Sequence, residues 1–210
     1  LNKNSTDSHT FISINSCITP MATLDGSSLI TVDALSHEDR LHIAQEAMVD
    51  CHGSQCGFCT PGFVVALAGL VEEKKIRGEN TINIKEAKNA TTGNLCRCTG
   101  YDAIINAATS MKIDNEASLK SRFLTSSQEK ELLETSKEEL LIKNSDYSFY
   151  APTNIQDATQ YLENNKETRI IASSTDLGVV HNKRKLKLNL NIMIYHQYIK
   201  NTNILMSLGF

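Results

Sequence analysis

The sequence has no tryptophan, only three prolines and 6% aromatic residues across its 210 positions. It also lacks an excess of charge of either sign. Twenty-one Lys and Arg stand against 24 Asp and Glu, a net charge of −3. Such a balance argues against nucleic acid or another polyanion as partner. No apolar run approaches the roughly 20 residues that span a bilayer. The opening residues Leu1-Asn2-Lys3-Asn4-Ser5 are too polar for a secretory signal. A cytoplasmic setting is the expectation, with neither nucleic acid nor membrane as partner. There is no methionine at position 1, and the chain stops abruptly at Ser207-Leu208-Gly209-Phe210. A fragment or a processed reading frame is expected.

What the sequence does have is cysteine, at six positions. In a cytoplasmic chain these favour metal or redox chemistry over disulfides. Four of them form two close pairs, Cys56-x2-Cys59 and Cys96-x-Cys98, across a long gap. A [2Fe-2S] cluster takes four thiolates, and so does a closed tetrahedral zinc site. Spacing alone leaves both open. A thioredoxin-like role for Cys56 and Cys59 fits less well, because no clear strand precedes them. Cys51 reads as a buried thiol, and His52 as a loop histidine rather than a ligand.

The surrounding pattern is helical. His9–Ile14 and Leu29–Val32 read as strands with a turn at Asp25-Gly26 between them. Leu41, Ala44 and Met48 share a face of a helix over 41–50. A loop follows from Cys51 to Thr60, and Pro61 suits the first turn of the next helix. That helix, to about Lys74, is apolar on nearly every side. A four-helix unit of this size would hardly cover it, so another chain or domain is expected to. Further helices are expected over 84–91 and 102–112. Glycines 57, 93 and 100 would let backbone approach the sulfurs. Residues 113–145 turn polar, with an exposed helix over 128–141 inside a linker. Beyond them the pattern is mixed, with a helix over 154–162, a strand over 168–172 and a turn over 173–178.

The string His52-Gly53-Ser54-Gln55-Cys56-Gly57-Phe58-Cys59-Thr60-Pro61-Gly62-Phe63 resembles an iron–sulfur motif of the xanthine dehydrogenase family. Gly93-Asn94-Leu95-Cys96-Arg97-Cys98-Thr99-Gly100-Tyr101 is similar to its closing half. The resemblance implies Cys56, Cys59, Cys96 and Cys98 as ligands of a [2Fe-2S] cluster. It implies Gln55 as a contact to the pterin of a molybdenum cofactor on a partner chain. Ser16-Cys17-Ile18-Thr19-Pro20 resembles the tail of the family's ferredoxin-like domain, where Cys17 would be the last ligand of a first cluster. Phe149-Tyr150-Ala151-Pro152 resembles the opening of its flavin domain. Ser173, Ser174, Thr175, Asp176, Leu177 and Gly178 then fall in the flavin-phosphate loop. Serines at 173 and 174 stand where the family has glycines, so weak or no FAD binding is expected here.

The implied fold is α+β and multidomain. Residues 1–36 would be the remnant of a β-grasp ferredoxin-like domain, and 37–114 a four-helix [2Fe-2S] domain. Residues 115–145 would be a linker, and 146–210 the first part of an α/β FAD-binding domain. The implied function is the electron-transfer subunit of a molybdenum hydroxylase acting on purines, with a molybdenum-binding large subunit as partner and NAD as acceptor. An aldehyde or heteroaromatic hydroxylase, a non-functional gene fragment and a zinc-stapled binding module are the alternatives.

Overall fold

The computed structural model describes residues 10–135, 137–145, 148–171, 178–180, 183, 191–194 and 202–207. In chain order the elements are strands β1 (Thr10–Asn15) and β2 (Leu29–Ile30), then helices α1 (Ile43–Asp50), α2 (Thr60–Ile76), α3 (Ile84–Ala90), α4 (Asp102–Ser110), α5 (Leu119–Phe123) and α6 (Ser126–Thr135). They continue with β3 (Leu140–Lys143), β4 (Ser148–Ala151), α7 (Ile155–Asn164), β5 (Arg169–Ile171), β6 (Asn191–Ile194) and β7 (Thr202–Ser207). Short 3-10 turns add Met21–Leu24, Val32–Leu35 and Ile113–Asn115. The chain divides into two compact units.

The helical unit takes the described residues of 10–17, Leu29–Thr125 and 203–207. Its axis is α2. Phe63, Val65, Leu67 and Ala68 on this helix have no exposed surface or almost none, and they pack with Met48, Ile104, Ala108 and Leu35 in one core. Each buried Phe or Leu of this kind stabilises by about 1.5–3 kcal/mol. The apolar character of α2 on all sides does not call for a second chain. This chain covers it with β1, α1, α3 and the turns at Val32–Leu35 and Ile113–Asn115. An estimate from four helices alone leaves out the strand and turns that flank them. Beside this core, β7 lies between β1 and β2, and β2 pairs parallel with it through Leu29–Ile204 and Ile30–Leu205.

Helix ends follow local chemistry. At α1, His42 Nδ1 accepts from the Ala44 amide and Gln45 Oε1 accepts from the His42 amide, a reciprocal cap. At α3, Asn83 and Glu86 do the same. The C-terminus of α2 is tied to α3 by the buried Lys74 ammonium, which pairs with Glu79 and with Glu86.

The polar stretch expected as a linker carries structure at both ends. Leu119 is fully buried in the helical core. The buried Glu72 carboxylate accepts from the Ser118 hydroxyl at 2.7 Å and the Leu119 amide at 2.9 Å. Arg122 Nη1 donates to the Leu35 carbonyl at 2.8 Å. A carboxylate and a carbonyl from far upstream fix this segment, which local polarity does not reveal. The exposed helix ends at Thr135, and Leu140–Lys143 form a strand instead.

The second unit takes Ile18–Ser28 and Ser126–Thr202. Its sheet runs β3-β4-β6-β5, with β3 antiparallel to β4 and the other pairs parallel. Strand β4 is buried on both faces. Phe149 and Ala151 pack with Ala22, Leu140 and Ile171, while Tyr150 packs with Ala158 of α7. The Tyr150 and Tyr161 rings stack at 4.2 Å between centroids. Parallel strands joined through a covering helix make this unit α/β in character.

Candidate metal centre

Two loops of the helical unit carry the paired cysteines. The first runs from the end of α1 to the start of α2. His52 occupies the left-handed position that ends α1, with φ +53°, and the Gly53 amide returns to the Met48 carbonyl at 2.8 Å. This is a Schellman ending, and it gives His52 a structural task as a loop residue. Ser54 Oγ and Thr60 Oγ1 lie 2.7 Å apart and close the loop around Gln55, Cys56, Gly57 and Phe58. Gly57 has φ +84°, a conformation that side chains resist. Cys59 is the N-cap residue of α2.

The second loop joins α3 to α4. The Cys96 amide donates to the Tyr101 hydroxyl at 2.9 Å. Thr99 Oγ1 lies 3.2 Å from Cys96 Sγ and accepts from the Tyr101 amide at 3.3 Å. Gly100 and Tyr101 are both left-handed, at φ +67° and +73°. In tyrosine this costs about 1–2 kcal/mol, and the ring is held by an edge contact with Phe63 at 6.2 Å. Gly93 needs neither unusual φ nor space, since nothing lies within 4 Å of an added Cβ.

The loops bring thiols from both sides together. Cys98 Sγ lies 3.5 Å from Cys56 Sγ. Cys59 and Cys96 influence each other's protonation. With metal–sulfur bonds of about 2.3 Å, two thiolates on one tetrahedral ion sit about 3.8 Å apart, so the first pair suits one metal. Among the described residues no three His, Cys, Asp or Glu side chains gather as ligands of a single ion. Four thiols on two neighbouring loops are the number that a [2Fe-2S] cluster takes.

The protonation states are uneven. The Cys96 thiol is lowered to about 7, chiefly by the Thr99 hydroxyl and then its amide. Cys56 is lowered by the Phe58 amide and by Cys98. Burial pushes Cys59 up to about 11, and the hydrogen bond to Cys56 raises Cys98. Ligation must therefore drive off protons from Cys59 and Cys98.

Cys17 is exposed, in the turn after β1. Gln55 is exposed in the first loop. Cys51 is half-buried, with Sγ 3.7 Å from Ser110 Oγ. Ser173, Ser174, Thr175, Asp176 and Leu177 lie outside the described residues. Gly178 opens a helical turn at 178–180, where an added Cβ would come within 2.7 Å of the Ile18 carbonyl oxygen. Thr99 and Tyr101 gained no role from the sequence. The only hint was their place directly after the second cysteine pair.

Residues 31–109 match the family described as "[2Fe-2S] binding domain". Xanthine dehydrogenase 1 of Arabidopsis thaliana is 40% identical over 95 residues, 45% of this chain and 7% of that protein. Aldehyde oxidase 1 of Bos taurus is 45% identical over 94 residues, 44% of this chain and 7% of that protein. The chain thus matches only a small part of these curated relatives. Quinoline 2-oxidoreductase from Pseudomonas putida 86 is 36% identical in sequence, at a TM-score of 0.34 covering 38% of this chain and 46% of that one. Over residues 31–109 the chain is thus similar to the [2Fe-2S] binding domain family, and about 95 of its residues are similar to part of a xanthine dehydrogenase and of an aldehyde oxidase.

Proposed function

We propose that this chain holds one [2Fe-2S] cluster on Cys56, Cys59, Cys96 and Cys98 and relays electrons within a molybdenum-dependent hydroxylase. The observation that carries this reading is the approach of Cys56 and Cys98, one from each loop, to 3.5 Å inside the matched domain. Such a cluster supplies one-electron acceptance and donation. The chain's own residues hold and shield it. Helices α2 and α4 start directly after the two loops, and their positive ends favour an anionic centre.

The rest of the assembly is proposed from the sequence resemblance. The molybdenum cofactor would sit on a partner subunit, with Gln55 toward its pterin. FAD and then NAD would take the electrons onward in the cytoplasm. Cys17 would complete a first cluster with ligands from elsewhere, and Ser173 to Gly178 would form the flavin-phosphate loop. The domain division would be 1–36, 37–114, 115–145 and 146–210. Purines are the substrate class proposed, with aldehydes or heteroaromatics set instead by a different large subunit.

The test is anaerobic reconstitution of the full chain with iron and sulfide. A red-brown protein with about two irons per chain is expected. A colourless chain that retains one zinc overturns the reading.

A further inference from the structure

Thr99 stands against the sulfur of Cys96, with its Oγ1 3.2 Å from Sγ. Its other side is engaged, because Oγ1 accepts the Tyr101 amide at 3.3 Å. A sulfur that ligates metal carries no proton, so the hydroxyl is then the only possible donor between the two. The loop fixes this geometry from both ends. The Cys96 amide donates to the Tyr101 hydroxyl at 2.9 Å, and the Tyr101 ring is braced by Phe63. Thr99 thus accepts from backbone on one side, and its hydroxyl can donate to the sulfur once that sulfur is a thiolate.

We infer that Thr99 is a positioning residue that sets the reduction potential of this centre through an O–H···S bond to Cys96. The inference rests on the cluster reading above. When one electron enters, negative charge accumulates on the ligand sulfurs and no bond is made or broken. A donor held at one sulfur stabilises the reduced form more than the oxidised form and raises the potential. Thr99 keeps its proton throughout. The neighbouring Arg97 is exposed, so its charge acts through a high-dielectric surround, while the hydroxyl acts at contact.

The test is potentiometric titration of the reconstituted full chain, read by the spectroscopic signal of the reduced cluster. Thr99→Val keeps the shape and removes the proton. The reduced-to-oxidised ratio at fixed ambient potential should fall by about tenfold, which is 59 mV for a one-electron couple. Thr99→Ser should return the wild-type midpoint. A Thr99→Val midpoint equal to wild type overturns the inference, and so does a Ser variant that fails to restore it. If Val refuses the cluster while Ser accepts it, Thr99 serves assembly and the inference falls. If wild type takes up no cluster, the reading of the cysteines falls first and this inference with it.

Discussion

Cys56 and Cys98, 42 positions apart in sequence, bring their sulfurs to 3.5 Å. This contact joins the two loops, so either residue is indispensable to a shared centre. Cys98→Ser should lose all bound iron and colour. The helices should survive, because the core around Phe63, Leu67 and Ile104 draws on only one of the four cysteines, Cys96, among its fully buried members. Iron assay and visible absorbance test the first expectation, and far-ultraviolet circular dichroism the second. Loss of helical signal would mean that the metal, not the core, organises this unit.

Glu72 should matter more than its place on a polar helix end implies. Its carboxylate is buried and holds the Ser118 hydroxyl and the Leu119 amide. Glu72→Ala orphans these donors in the interior. A loss of roughly 2–4 kcal/mol is expected, read by urea denaturation. Hydrogen exchange at Leu119 and Lys120 should quicken before the amides of α2 do.

These examples show what was legible in the sequence. The helices around the cysteines were, because Pro61, Asn83 and the apolar spacing of 63–71 act locally. The cysteine pairs were legible through spacing and motif. The covering of α2 and the fixing of Leu119–Phe123 were not. Both depend on partners distant in sequence, such as Glu72 with Leu119 and Leu35 with Arg122. Thr99 escaped for another reason: a hydroxyl beside a cysteine signifies nothing until the loop is seen to aim it.

His42 should make stability depend on pH. Its imidazole is buried, with Nδ1 accepting from the Ala44 amide and Nε2 without a partner among the described residues. Burial lowers its pKa, against the pull of Glu116 and Glu72 and with the push of Arg122 and Lys75. The folded state therefore favours neutral imidazole, while the unfolded chain takes up a proton near pH 6.5. The stabilisation is full above that value. It is lost as pH falls through the window down to the lower folded pKa, at no more than about 1.4 kcal/mol per pH unit. His42→Asn keeps a side-chain acceptor at the cap and should flatten this slope. Thermal melts from pH 5 to 7.5 on both proteins check it; an unchanged slope in the Asn variant would place the pH dependence elsewhere.

The last expectation concerns the face that would meet the proposed molybdenum subunit. Helix α2 gives no reason to need one, since the chain covers it. The two cysteine loops do. Phe58, between Cys56 and Cys59, is 65% exposed, and Leu95, next to Cys96, is 75% exposed. Cys56 and Cys98 are exposed as well, so solvent reaches part of the centre. Electron transfer needs a short path, so a partner's cofactor must approach where protein does not intervene. Covering Phe58 and Leu95 shortens that path and removes apolar surface from water, at about 25 cal/mol per Å² buried. Phe58→Asp places a charge in that contact and should abolish co-purification with a xanthine dehydrogenase-type large subunit, while the cluster's absorbance stays intact. Gln55→Ala should bind and slow cluster reduction by substrate. If Phe58→Asp leaves association and reduction unchanged, the docking face lies on another side of the helical unit.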